Sequence, residues 1–180
     1  MSKTELPKRK HPRLKQYDYS SNGFYFVTIC CKDKQCSLSK IEHFHDVVGH
    51  CLAPHERLYA DTILTLSSFG QIAEKQLLEL EIRYDYVKID KYVIMPNHIH
   101  AIIILEGAAG ASPRPTLTDI ICTYKSLTTR ECNAVNKTKG KKLFQTSFYD
   151  HVITNEVEYQ NVWQYINENP RKWGNDEYYI

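Results

Sequence analysis

The chain has 180 residues, 42% hydrophobic and 24% charged, with 23 Lys and Arg against 21 Asp and Glu and a formal net charge of +2. This length suits one domain with room for a real core, and the mixture is that of an ordinary soluble globular protein. It excludes a membrane-spanning helix, because no apolar run approaches the ~20 residues needed. "MSKTELPKRKHPRLK" has no apolar h-region, so a secretory signal is also excluded and the cytoplasm is the expected compartment.

In chain order, residues 1–19 read as a basic tail ahead of a single domain at residues 20–180. The tail carries Lys3, Lys8, Arg9, Lys10, Arg13 and Lys15 against Glu5. After a turn at residues 20–23, "FYFVTICC" is β-branched and aromatic and reads as a central strand. Residues 36–62 show no clear period and read as a surface hairpin or insertion. "SFGQIAEKQLLELEIRY", residues 68–84, places Ile72, Leu77, Leu80 and Ile82 among charges, as an amphipathic helix does. "YVKIDKYVIMPN" reads as a strand broken at Pro96–Asn97, and "HIHAIIIL" as the strand that completes a hairpin. A small-residue loop over residues 107–115 leads to a second helix at residues 116–135, with Thr116 or Thr118 as its N-cap. The basic run Lys137, Lys139, Lys141 and Lys142 follows, then a short extended segment at residues 144–154. A third helix begins at Asn155, has Glu156 and Glu158 in its first turn, and is stopped by Pro170. This order predicts an α+β fold: a ferredoxin-like antiparallel sheet with helices packed on one face, plus a C-terminal helix.

Six cysteines, Cys30, Cys31, Cys36, Cys51, Cys122 and Cys132, show no CxxC spacing, so free thiols are expected rather than a disulfide framework. The histidines are more informative. Side chains alternate faces along a strand, so His98 and His100 point the same way while Ile99, Ala101 and Ile103 anchor the other face. Two imidazoles at i and i+2 on a rigid strand make a two-point metal chelate. The plainer alternative is a turn-capping His beside a satisfied core His. A rival pair, His43 and His45, lies near Cys36, His50, Cys51 and His55, but these spacings match no standard zinc finger.

Two histidines leave a cation incompletely held. The third helix carries "QYINENP", in which Tyr165 and Asn169 lie four apart and share a helix face. An Asn carbonyl oxygen can ligate a hard cation, which would bring Tyr165 beside it. The alternative is a helix whose Tyr packs and whose Asn caps the chain before proline.

"MPNHIHAIII", followed by "FYDHVI" and "YINENPRKW", resembles the REP-associated tyrosine transposases of the HUH superfamily of single-strand DNA transposases and endonucleases. "YDYSSNGFYFVTIC" and "ASPRPTLTDII…YKSLTTR" resemble further blocks of that group, so the likeness runs from about residue 9 to about residue 174. The resemblance implies that Tyr165 is the catalytic nucleophile and that His98, His100 and Asn169 hold a divalent cation, Mg²⁺ or Mn²⁺. It implies cleavage and rejoining of single-stranded DNA beside a hairpin through a 5′-phosphotyrosine intermediate, in DNA transposition. Tyr159 is disfavoured because Trp163, not a carboxamide, stands four residues on. His151, in the "YDH" block, is expected to support the site or the DNA. Lys8, Arg9, Lys10, Arg13, Lys125, Lys141 and Lys142 are candidate phosphate contacts. The expected partner is single-stranded or hairpin DNA, with no membrane, and the chain itself a monomer or homodimer. A non-catalytic nucleic-acid-binding protein retaining the fold is the competing function, and a zinc protein centred on residues 36–55 a third.

Overall fold

The computed structural model describes residues 17–43, 54–59, 61–107 and 114–179. Its main sheet has four antiparallel strands: β1 (Gly23–Cys30), β5 (Val87–Ile94), β6 (His98–Leu105) and β7 (Tyr149–Ile153). Their spatial order is β5-β6-β1-β7. The helices α1 (Ser68–Arg83) and α2 (Leu117–Val135) complete a ferredoxin-like β-α-β-β-α-β core, and α3 (Glu156–Glu168) follows it.

The two faces of the sheet follow from its register. Tyr25, Val27 and Ile29 of β1 stand opposite Ile103, Ala101 and Ile99 of β6, and all six are fully buried. They form one layer with Ala73, Leu77 and Leu80 of α1 and Leu117, Ile120, Ile121 and Tyr124 of α2. The Tyr124 hydroxyl, buried between the helices, donates to the Ala73 carbonyl at 3.1 Å, which satisfies a group that would otherwise be costly to bury. The alternate residues Phe24, Phe26 and Thr28, opposite Ile104, Ile102 and His100, face α3. Phe24 meets the ring of Tyr159, and Phe26 that of Tyr165. Every residue of β6 is buried, because this central strand is covered on both faces.

The described part of residues 36–62, with the residues up to Leu66, forms more than a hairpin. β2 (Ser39–His43), β3 (Glu56–Tyr59) and β4 (Thr62–Leu66) form a second antiparallel sheet, in the order β2-β4-β3. It joins the core where Ser67 caps α1, its hydroxyl accepting from the Gly70 N–H. A Cβ on Gly70 would lie 2.0 Å from the Leu38 carbonyl oxygen, so glycine is what allows the insertion to approach the helix. The zinc-site expectation falls largely outside the described residues, which omit His45, His50 and Cys51. Cys36 is exposed, and His43 Nδ1 pairs with the Thr62 hydroxyl at 2.9 Å. The described cysteines, Cys30, Cys31, Cys36, Cys122 and Cys132, are free thiols. Tyr17 and Tyr19, at the end of the expected tail, pack against the core through Tyr25.

The chain does not leave the fold at Pro170. The α-helix ends at Glu168, and residues Asn169–Asn175 continue as a 3-10 helix with Pro170 in its first turn. This extra turn buries Trp173 and returns the last residues toward β6.

Candidate active site

The histidines stand at the start of β6, just after the turn at Met95–His98. Proline presets the backbone there, and Asn97 is a favoured turn residue. The Met95 N–H closes the turn on the His98 carbonyl at 2.9 Å. Both imidazoles leave the strand on the α3 side with ring centroids 4.5 Å apart, as strand alternation requires.

Hydrogen bonds decide which ring nitrogens keep a lone pair. The Asn97 amide nitrogen donates to the carbonyls of Tyr178 and Lys34, so its oxygen is turned toward His98 Nδ1, 2.9 Å away. A carbonyl oxygen only accepts, so Nδ1 carries the proton and Nε2 holds the lone pair. That Nε2 is buried and has no hydrogen-bond partner. His100 Nδ1 contacts the Thr28 hydroxyl at 2.9 Å, and its Nε2 faces the Tyr165 hydroxyl at 3.3 Å. Burial disfavours the charged ring in both: it lowers His98 to about 4 and His100 well below its ordinary value. Both imidazoles are therefore neutral, as metal ligation requires.

α3 reaches this face because it is capped at one end and packed along its length. The Asn155 side chain accepts from the Glu158 N–H, and the Glu158 carboxylate accepts from Thr154 and pairs with His151. Lys91 lies over the Trp163 ring and donates to Asn167, which holds α3 to the edge strand β5. One helix thereby delivers both Tyr165 and Asn169 to the histidines. Tyr165 is 41% exposed, so solvent or a ligand can reach it. Its phenol is pushed up to about 12, by burial first and then by the charges of Asp176 and Glu177, while the Asn169 side chain favours the phenolate. Tyr159 also packs on the sheet, but at the far end, where it donates to Asp90; it stands apart from the histidines.

Asn169 is almost fully buried, and its side-chain oxygen has no partner. Its amide nitrogen donates to the Asp176 carboxylate at 3.0 Å. Asp176 was not among the residues expected from the sequence. A ring nitrogen from each of His98 and His100 and a carboxylate oxygen of Asp176 lie within 4.8 Å of one another. Ligands held about 2.0–2.1 Å from one octahedral cation are roughly 3–4 Å apart, so this donor set fits a small divalent ion after slight contraction. The orphaned His98 Nε2 and Asn169 oxygen are the buried polar atoms such an ion would satisfy. Sequence pattern misses Asp176 and Thr28 because each comes from a different segment, whereas Asn97 adjoins His98 and takes its role from the Lys34 and Tyr178 carbonyls. The one available signal was an acid seven residues after Asn169, in "WGNDEYY".

A groove of about 640 Å³ opens beside the tyrosine, lined by Phe26, Thr28, Tyr149, Glu158, Asn161 and Tyr178 among others. The ring of Tyr178 lies over His98, with centroids 4.5 Å apart. His151 sits on β7, paired with Glu158, two strands away from the histidines, with β1 between. Lys125 lies on α2, and Lys141 and Lys142 lie in the loop after it. Lys8, Arg9, Lys10 and Arg13 fall outside the described residues. No described helix is long and apolar enough to cross a membrane.

The family model described as "Transposase IS200 like" matches residues 69–169, the span from α1 through the histidine strand to Asn169. An uncharacterized protein of Haemophilus influenzae is 30% identical over 96% of this chain and 93% of its own length. Among solved structures, the chain is similar to a REP-associated tyrosine transposase bound to a REP hairpin, with a TM-score of 0.53 and 17% identity over 90% of this chain and 74% of that one. At that identity the likeness concerns the fold.

Proposed function

Since the chain belongs to the family of IS200-like transposases, we propose that it cleaves and rejoins single-stranded DNA with Tyr165 as nucleophile and a divalent cation, Mg²⁺ or Mn²⁺, as cofactor. The observation that carries this reading is the placement of the Tyr165 hydroxyl 3.3 Å from His100 Nε2, beside the unpaired His98 Nε2 and Asn169 oxygen. His98, His100, Asn169 and Asp176 would hold the cation. There it would polarise a non-bridging phosphate oxygen and offset the Asp176 charge, which adds to burial in keeping the phenol protonated.

The remaining steps belong to the chain. The phenol loses its proton to solvent through its exposed edge, and Tyr165 oxygen attacks the scissile phosphorus. A tyrosine–phosphate bond forms and the bond to the 3′ oxygen breaks, giving a 5′-phosphotyrosine and a free 3′-OH. A second 3′-OH then displaces Tyr165, so the phosphodiester is conserved without a nucleotide cofactor. Asn97 holds His98 in the tautomer with the inward lone pair, and Thr28 orients the His100 ring. Phe26, Tyr149 and Tyr178 line the groove as faces on which unpaired bases stack. The solved relative is bound to a REP hairpin, so a hairpin with a single-stranded flank is the substrate to offer.

The test is incubation with such a DNA in Mg²⁺ or Mn²⁺. A protein–DNA adduct should survive denaturation, and its phosphopeptide should contain Tyr165. Tyr165→Phe should form no adduct and still bind the DNA. An adduct in Tyr165→Phe removes the nucleophile assignment, and DNA binding with no adduct from the parent chain in either cation marks a non-catalytic binder.

A further inference from the structure

We propose that the groove between the C-terminal half of α2 and residues 138–146 binds one or two nucleotides of the single-stranded flank of the DNA substrate. This deepens the reading of the chain as a single-strand DNA transposase and rests on it for the identity of the polyanion.

The groove has a volume of about 660 Å³, within the range of small-ligand sites. Its lining includes Lys125, Arg130, Lys139 and Lys142, and no Asp or Glu. Arg130, Lys139 and Lys142 are exposed, and among the described residues none of the three is in an ion pair. The one carboxylate nearby in sequence, Glu131, is turned to the other side of the helix, where it pairs with Lys75 at 3.0 Å. The floor includes Ala134, Leu143 and Phe144, with Asn133, Thr129 and Gln145 as polar edges. An apolar floor under a cationic rim matches a nucleotide, which joins an apolar base face to an anionic phosphate.

A helix C-terminus ordinarily disfavours an anion. Here the last carbonyls of α2 are already taken by the N–H groups of Asn136, Lys137 and Thr138, and the cations dominate the local field. The wall is held in place as well: Lys125 donates to the Thr146 carbonyl, and Asn133 to the Lys141 carbonyl.

Position links the groove to the tyrosine site. Its wall extends the edge of the main sheet, since Gln145 N–H donates to the Cys30 carbonyl and Phe144 bridges Cys31. Cys30 stands directly opposite His98 in the register. The groove wall is therefore two strand spacings from the first histidine, roughly 10 Å, at the same end of the sheet. The groove lies on the α2 side of the sheet, so a strand that leaves the site across β1 reaches it around the sheet edge. Lys141, expected from the sequence beside Lys142, does not line it.

The test is binding of a fluorescent hairpin DNA with a single-stranded flank, in EDTA so that no cleavage occurs, across a range of salt. The triple variant Arg130→Gln, Lys139→Gln and Lys142→Gln is compared with a charge-matched control, Lys40→Gln, Arg83→Gln and Lys88→Gln. Thermal melts verify that both are folded. Loss of three phosphate contacts should lower affinity at least tenfold near 0.1 M salt and reduce the slope of log K against log salt by about 2, at about 0.7 per contact on single strands. Shortening the flank to the bare hairpin should erase the difference between the two variants. Equal affinities and slopes for the two triples overturn the groove, as does a difference that persists on the bare hairpin. The adduct assay on the parent chain judges the transposase reading separately, so either can fail while the other stands.

Discussion

At the residue scale, the site works through what each polar atom is left to do. His98 Nδ1 is spent on Asn97, so its Nε2 is free and buried. Replacing Asn97 with Ala removes the group that fixes this tautomer, and Mn²⁺ affinity, read by calorimetry, should fall 10- to 100-fold. An unchanged affinity would mean that packing alone orients the ring. Asp176→Asn tests the donor found only in the fold. Removing its charge should weaken Mn²⁺ binding and, because Asp176 helps hold the Tyr165 phenol at about 12, lower that pKa in the metal-free protein. Ultraviolet titration of the phenol checks the second effect, and a pKa that stays in place would leave burial and Glu177 as its causes. Spacing puts His98 with His100, and Tyr165 with Asn169, on one face of one element, while the roles expected of them come from the resemblance to the tyrosine transposases. Asp176 and Thr28 were not legible in the sequence, because their nearness to the histidines comes from contacts between elements.

At the element scale, the regular elements could be read closely and the irregular one could not. The histidine strand was expected at its observed bounds, and the three helices within a few residues of theirs, because long periodic segments with caps and breakers carry their own signal. Residues 36–62 failed for the opposite reason. β2, β3 and β4 have five, four and five residues, too few for alternation to show, and only β4 is well buried. The second sheet depends on how closely α1 lets it approach. Gly70→Ala should destabilise the protein by at least 1–3 kcal/mol in urea unfolding, since the added methyl would meet backbone at Leu38. A loss near zero would show that the insertion moves freely against the core. At the end of α3 the α-helix stops ahead of Pro170, as the sequence predicts, and a 3-10 helix that no pattern signals carries the chain on to Trp173 and Asp176.

For the whole molecule, the central cost of the site is two imidazoles under a packed layer. Both are held neutral in the fold, His98 down to about 4 and His100 well below its ordinary value, whereas in the unfolded chain each protonates near 6.5. Below pH 6.5 the unfolded state therefore binds more protons than the native state, and stability falls with pH until the folded values are reached. Metal-free protein should lose about 2 kcal/mol between pH 7 and pH 5.5, in a window above the ordinary carboxylate range. Urea midpoints at the two values check this, and no change would mean that the rings protonate inside the fold at their ordinary pKa. The same folded values move the acid limit of metal binding well below that of an exposed histidine, so Mn²⁺ affinity should hold from pH 7.5 to near 5.5.

By itself the sequence determined the order of strands and helices, the shared face of the two histidines, and the tyrosine with its asparagine one turn on. Those are local properties, set by the periods of strand and helix. Tertiary structure alone decided that α3 runs back to the end of the sheet where the histidines stand, placing Tyr165 against His100 across 65 residues. It alone added Asp176 and Thr28, gave Asn97 its role, and brought four cations around a groove at that same end. Those facts depend on which segments pack together, and packing is settled by the burial of the whole core, which no local period encodes.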